Sequence, residues 1–211
     1  MRDADSMFPY RPRRAWARAW MFVVLAALVL VGCGGEDYET KGIEGLLPTL
    51  AFELQSETGG TITEADFAGA PTVVFFGFTN CPDVCPTAMA RIAAATEAAG
   101  ASLDGELQVL FVSVDPGRDD PERLARYTDF FSDRVTGATA DVPTLKTLTK
   151  RYRATFGYDE PNEFGDYNVS HASAMYVFDA KGEARALFRP SDSVAAMAAD
   201  LRRIGQQPDR S

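Results

Sequence analysis

Thr72-Val73-Val74-Phe75-Phe76-Gly77-Phe78-Thr79-Asn80-Cys81-Pro82-Asp83-Val84-Cys85-Pro86-Thr87 reads as a strand running into a helix, with two cysteines at the joint. Residues 72–78 are almost all apolar, β-branched or aromatic, which predicts a short central strand buried on both faces. Residues 86–99 are alanine-rich with few breakers and predict a helix, stopped by Gly100. Pro86 suits the first helical position, where a missing N–H costs nothing. This places Cys85 near the helix cap, where unpaired N–H groups and the dipole favour a thiolate.

Outward from this joint, strand and helix patterns alternate. Residues 108–114 predict a second buried strand, and residues 121–131 a helix with Pro121 in its first turn and Glu122 near its positive end. A third helix is expected over 145–152, entered at Asp141-Val142-Pro143. Residues 173–178 and 183–188 read as strands joined by the turn Asp179-Ala180-Lys181-Gly182, and residues 193–204 as a closing helix. Residues 46–62 predict an additional amino-terminal hairpin turning at Glu57-Thr58-Gly59-Gly60. A βαβα section followed by a β-hairpin and a helix is the order of the thioredoxin fold. The expected class is therefore α/β: a thioredoxin-like fold with an added N-terminal β-hairpin, its central mixed sheet flanked by helices. In open sheets of this kind, sites form beyond the carboxyl ends of strands, which points to the segment after Phe78.

The chain has 211 residues, enough for one domain and an appendage. Hydrophobic residues make up 46% and charged residues 24%, so a packed core is expected rather than wholesale disorder. The net charge of −9 understates the acidity of the domain, because Arg2, Arg11, Arg13, Arg14 and Arg18 crowd the amino terminus. An acidic domain repels nucleic acid and anionic headgroups and is steered toward basic protein surfaces or cations. The arginines precede an uncharged apolar run over 19–31, about 20 Å of helix and short of a bilayer span. A basic segment before a short apolar run is the pattern of a secretory signal. The run ends in Leu30-Val31-Gly32-Cys33, which resembles a bacterial lipobox and implies that Cys33 is lipidated and becomes the first mature residue. The expected organisation is an export signal with lipobox over 1–32, a lipid-anchored Gly- and Glu-rich tether over 33–45, the domain over 46–205, and a tail over 206–211. The expected location is extracytoplasmic, on the periplasmic side of a bacterial membrane.

Apart from Cys33, Cys81 and Cys85 are the only cysteines. Their spacing can bring the sulfurs together around one soft metal ion or in a disulfide, and the spacing does not choose. A purely structural disulfide here would close a very short loop and constrain little of the unfolded chain. His171 is the sole histidine and stands just before a predicted strand, in Tyr167-Asn168-Val169-Ser170-His171. A lone histidine is usually a surface or hydrogen-bonded residue. In a thioredoxin topology, however, the loop entering this strand faces the cysteine loop. Two thiolates and one imidazole form a soft set that suits reduced copper, whereas zinc is expected to want a fourth ligand. Three ligands with open access also suit a carrier that must release its ion.

Three motifs in order carry a family resemblance: Phe78-Thr79-Asn80-Cys81-Pro82-Asp83-Val84-Cys85-Pro86, Val112-Ser113-Val114-Asp115-Pro116-Gly117-Arg118-Asp119-Asp120-Pro121, and Tyr167-Asn168-Val169-Ser170-His171. Over about residues 46–205 the sequence resembles the Sco (SenC/PrrC-type) proteins, copper chaperones for the binuclear copper site of cytochrome c oxidase. The resemblance implies Cys81, Cys85 and His171 as copper ligands, for Cu(I) and also Cu(II), with Asp83 and Asp115 as acidic positions that hydrogen-bond near the site or dock a partner. It implies as partners the copper-bearing oxidase subunit, an upstream copper donor and a thiol reductase, with membrane attachment through lipid and no nucleic acid. Asn80 stands where many relatives carry His, and lipid replaces the transmembrane anchor of many relatives. The alternative is a thiol–disulfide oxidoreductase that reduces the oxidase copper-site cysteines. Such enzymes usually have Cys-x-x-Cys and a Pro before the later strand, and this chain has neither. A peroxide-reducing enzyme of the same fold accounts for one reactive cysteine only. The acidic stretch over 158–166 reads as a loop beside His171, mobile or merely solvated.

Overall fold

The structure, a computed structural model, describes residues 38–100, 103 and 107–206. The export signal, the lipobox with Cys33, the start of the tether and nearly all of the tail lie outside the described residues. Among the described residues no helix is long and apolar enough to cross a membrane.

An eight-stranded mixed sheet contains β1 (Lys41–Gly42), β2 (Glu53–Ser56), β3 (Thr61–Thr63), β4 (Thr72–Gly77), β5 (Gln108–Ser113), β6 (Val135–Thr139), β9 (Met175–Phe178) and β10 (Ala184–Phe188), in the order β1-β10-β9-β4-β5-β6-β2-β3. β4, β5 and β6 run parallel, and the remaining neighbours are antiparallel. β7 (Phe156–Tyr158) and β8 (Val169–His171) form a separate two-stranded ribbon. The helices are α1 (Val84–Ala99), α2 (Pro121–Thr128), α3 (Val142–Arg151) and α4 (Val194–Gly205). The thioredoxin-like class and the added β2–β3 hairpin match the expectation from sequence.

β4 is buried along its whole length, as its unbroken apolar run requires. α1 turns Cys85, Ala88, Met89, Ile92, Ala95 and Ala99 inward, a helical spacing whose alanines permit close approach to the sheet and to α4. Gly100, at φ 66°, ends it in the left-handed region that favours glycine. α2, α3 and α4 each start on a side-chain cap: Asp120 accepts from Arg123 N–H, Asp141 from Thr144 N–H and Ser193 from Ala196 N–H.

Three differences from the sequence reading have physical causes. α1 starts two residues before Pro86, so Cys85 lies inside the first turn rather than at the cap. Proline is tolerated there because the first-turn N–H groups have no helical partner in any case. β6, Val-Thr-Gly-Ala-Thr, had no strand signature because glycine interrupts it. That glycine is required by packing: a Cβ on Gly137 would stand 2.6 Å from Glu57 Oε2 and 3.2 Å from Leu124 Cβ. The tether expected over 33–45 is corrected for residues 38–45, which belong to the domain. β1 pairs with β10, Ile43 is buried, and the buried Asp200 carboxylate accepts Glu39 N–H at 2.8 Å and Thr40 N–H at 2.9 Å. Local patterning cannot reveal an anchor 160 residues away.

Candidate metal centre

Cys81, Cys85 and His171 meet beyond the carboxyl end of β4. One ligand atom from each lies within 4.8 Å of the others, and Cys85 Sγ is 3.4 Å from His171 Nε2. No disulfide joins the cysteines. Asp83, the cap residue of α1, makes no side-chain cap bond. Instead Cys85 N–H donates to Cys81 Sγ at 3.4 Å, so the sulfur takes the place of a capping oxygen.

Cys85 is wholly buried, and Gly77 makes the room for it. A Cβ on Gly77 would stand 2.9 Å from Cys85 Sγ and 2.9 Å from Phe111 Cε2. Burial pushes the Cys85 thiol well up, and the charges of Cys81 and Asp119 add to the effect. Burial thus opposes the thiolate that the helix start was expected to favour. Cys85 Sγ faces His171 Nε2 at 3.4 Å. Cys81 is only partly buried and lines a cleft with Phe78, Asn80, Val84, Tyr167 and His171.

His171 ends β8, and its imidazole packs edge-on against Phe75 and Phe78, with ring centroids 5.8 and 5.7 Å away. His171 Nδ1 is 3.0 Å from the Ala172 carbonyl. A carbonyl oxygen only accepts, so Nδ1 carries the proton and Nε2 turns its lone pair toward the sulfurs. Burial lowers the His171 pKa from its ordinary value, which keeps the ring neutral and ready to ligate. With metal–sulfur distances of about 2.3 Å and a metal–nitrogen distance of about 2.0 Å, a trigonal ion needs its ligand atoms about 3.7–4.0 Å apart. The Cys85–His171 separation of 3.4 Å is close to that spacing, and all three ligand atoms lie within 4.8 Å of one another.

The acidic residues behave differently from one another. Asp83 is exposed and accepts only a long bond from Thr87 Oγ1, at 3.4 Å. Asp115 is buried, accepts Tyr167 O–H at 2.6 Å and pairs with Arg118. Asp119 was not singled out from sequence, although it lies in the quoted Asp115–Pro121 motif. Its buried carboxylate accepts Thr79 N–H at 2.8 Å, Thr79 O–H at 2.6 Å and Ser113 O–H at 2.5 Å. It therefore ties the segment leading into Cys81 to the end of β5.

A thioredoxin-type sheet with two sulfurs and one imidazole converging past its central strand defines a thioredoxin-like protein with a candidate soft-metal site. The family model described as SCO1/SenC matches residues 45–206, and the chain belongs to that family. It is 36% identical over 130 residues to Protein SenC of Rhodobacter capsulatus, covering 62% of this chain and 58% of that protein. It is 31% identical over 136 residues to Protein sco1 of Schizosaccharomyces pombe, covering 63% of this chain and 51% of that protein. In both cases the match spans between half and three-fifths of the relative's length. Among solved structures, Bradyrhizobium japonicum ScoI with copper bound is similar at 32% identity and TM-score 0.65, covering 74% of this chain and 98% of that one. Arabidopsis thaliana ScoI with copper bound is similar at 27% identity and TM-score 0.68, covering 74% and 96%.

Proposed function

We propose that this protein is a copper metallochaperone that binds Cu(I), and also Cu(II), through Cys81, Cys85 and His171 and delivers it to the binuclear copper site of cytochrome c oxidase. The single observation that carries the reading is the convergence of two sulfurs and a neutral imidazole nitrogen within 4.8 Å. Copper-bound relatives of the same fold and family support the choice of ion. Cys81, open to the cleft, is the ligand an incoming acceptor thiolate displaces first, while buried Cys85 and His171 hold the ion until transfer completes. Supply requires an upstream copper donor, and a thiol reductase keeps the pair reduced in an oxidising compartment. In this reading the domain is exported and anchored through a lipidated Cys33, at residues 30–33, on the periplasmic side of a bacterial membrane.

A second reading follows from the same sulfur pair. Cys81 attacks a disulfide in the acceptor, Cys85 resolves the mixed disulfide, and two electrons pass to the acceptor as the Cys81–Cys85 disulfide forms. Anaerobic Cu(I) titration of the reduced full chain against a competing chelator is expected to give about one equivalent. Replacing either cysteine with Ser is expected to abolish tight binding, and His171→Ala to weaken it. Full affinity in both Cys→Ser variants refutes the carrier reading. In a deletion strain, rescue of oxidase activity by added copper supports delivery, and rescue by a small thiol reductant alone supports the redox reading.

A further inference from the structure

His171 stands on a strand outside the main sheet, with its ring resting on Phe75 and Phe78. Its strand β8 pairs only with β7, and neither strand hydrogen-bonds into the eight-stranded sheet. Val169 is the one buried side chain of the ribbon. Isolated two-stranded ribbons are marginally stable, so contacts beyond its own pairing must hold the ribbon in place.

Those contacts converge on the loop that leaves β5. Tyr167 O–H donates to Asp115 Oδ1 at 2.6 Å, and Asp115 is 1% exposed. Arg118 donates from Nε to Asp115 Oδ2 and from Nη1 to the Tyr167 carbonyl at 3.0 Å. Its guanidinium carbon lies 3.9 Å from the Tyr167 ring centroid and 5.9 Å from that of Phe78, the ring that packs against His171. From the other strand, Tyr158 O–H donates to the Val114 carbonyl at 2.6 Å. Gly117 leaves space for this closure, since a Cβ there would stand 3.3 Å from Tyr167 Oη. Arg118 Nη2 is buried without a hydrogen-bond partner. The planar guanidinium fork suits holding two groups in register.

We infer that Arg118 and Tyr167, joined through Asp115, are positioning residues of the metal centre that hold the β7–β8 ribbon so that His171 meets the cysteine pair. Neither touches the ion; each acts through the imidazole. The inference rests on the assignment of His171 as a ligand, and its test separates the two. Because His171 is the only histidine, its ring signals in a nitrogen-15 NMR spectrum are unambiguous. In the reduced, metal-free full chain, a single sharp imidazole state is expected, broadening in Tyr167→Phe and in Arg118→Lys, with hydrogen exchange of the ribbon amides rising about tenfold. In a Cu(I) competition assay, Tyr167→Phe is expected to weaken binding about tenfold, but to change it less than about twofold in a His171→Ala background. Equal weakening in both backgrounds, or an unchanged imidazole signal and unchanged exchange in both positioning variants, overturns the inference. If His171→Ala alone leaves affinity intact, the ligand assignment fails, and the metal-free NMR and exchange data still decide whether the clamp holds the ring. Should Tyr167→Phe fail to fold, Arg118→Lys carries the same comparisons.

Discussion

Replacing Asp119 with alanine tests whether a buried carboxylate organises the cysteine loop. Thr79 N–H, Thr79 O–H and Ser113 O–H all donate to it, at 2.8, 2.6 and 2.5 Å, and Asp119 is 1% exposed. The Thr79 hydroxyl can turn to another acceptor. The Thr79 amide is fixed by the backbone, and the Ser113 hydroxyl is fully buried. Two donors stranded at about 1–3 kcal/mol each, plus the space left by the carboxylate, amount to roughly 3–5 kcal/mol. The Arg123 contact, 3.9 Å from Asp119 Oδ1 and 42% exposed on the arginine side, adds little through solvent. With a urea slope of about 2 kcal/mol/M, the unfolding midpoint falls by about 1.5–2.5 M. Exposed Asp83, named from sequence for hydrogen bonding near the site or partner docking, is expected to shift stability by less than about 0.5 kcal/mol when changed to alanine. Urea unfolding of the reduced metal-free chain followed by circular dichroism measures both. A loss below about 1 kcal/mol for Asp119→Ala, or equal losses for the two variants, refutes the reasoning.

Gly77→Ala drives a methyl to 2.9 Å from Cys85 Sγ and Phe111 Cε2, both fully buried, and is expected to cost about 1–3 kcal/mol by overpacking. Urea unfolding of the reduced chain reads this, and wild-type stability in the variant contradicts the packing account. Since burial lowers the His171 pKa below the ordinary 6.5, the unfolded chain binds the extra proton first as pH falls through that value. Stability of the metal-free domain therefore rises with pH up to about 6.5 and declines below it, a slope that His171→Gln removes when unfolding is measured across that range. Cu(I) at a hundred times its Kd is expected to stabilise the reduced chain by about 2.7 kcal/mol in thermal unfolding, and the gain should vanish in Cys85→Ser.

Strand β4, helix α1 and the two sulfurs between them were readable because each signal is local: an apolar run, an alanine-rich helix, a proline in its first turn and a glycine at its end. The later hairpin and closing helix were legible for the same reason, and three spaced motifs pointed to the family. β6 was missed because Gly137 interrupts its pattern. The start of the domain was placed late because Asp200, rather than a run of apolar residues, secures residues 39 and 40.

Sequence alone determined which atoms are available for chemistry: one Cys-x-x-x-Cys pair at a strand end and a single imidazole. Tertiary structure alone decided that His171, 86 residues beyond Cys85, stops 3.4 Å from its sulfur, and that this sulfur is too deeply buried to ionise readily. It also decided that Asp119, not singled out from sequence, braces the loop. Composition and periodicity report which face of an element turns inward. Hydration and contacts between distant side chains depend on how the packed elements close on one another.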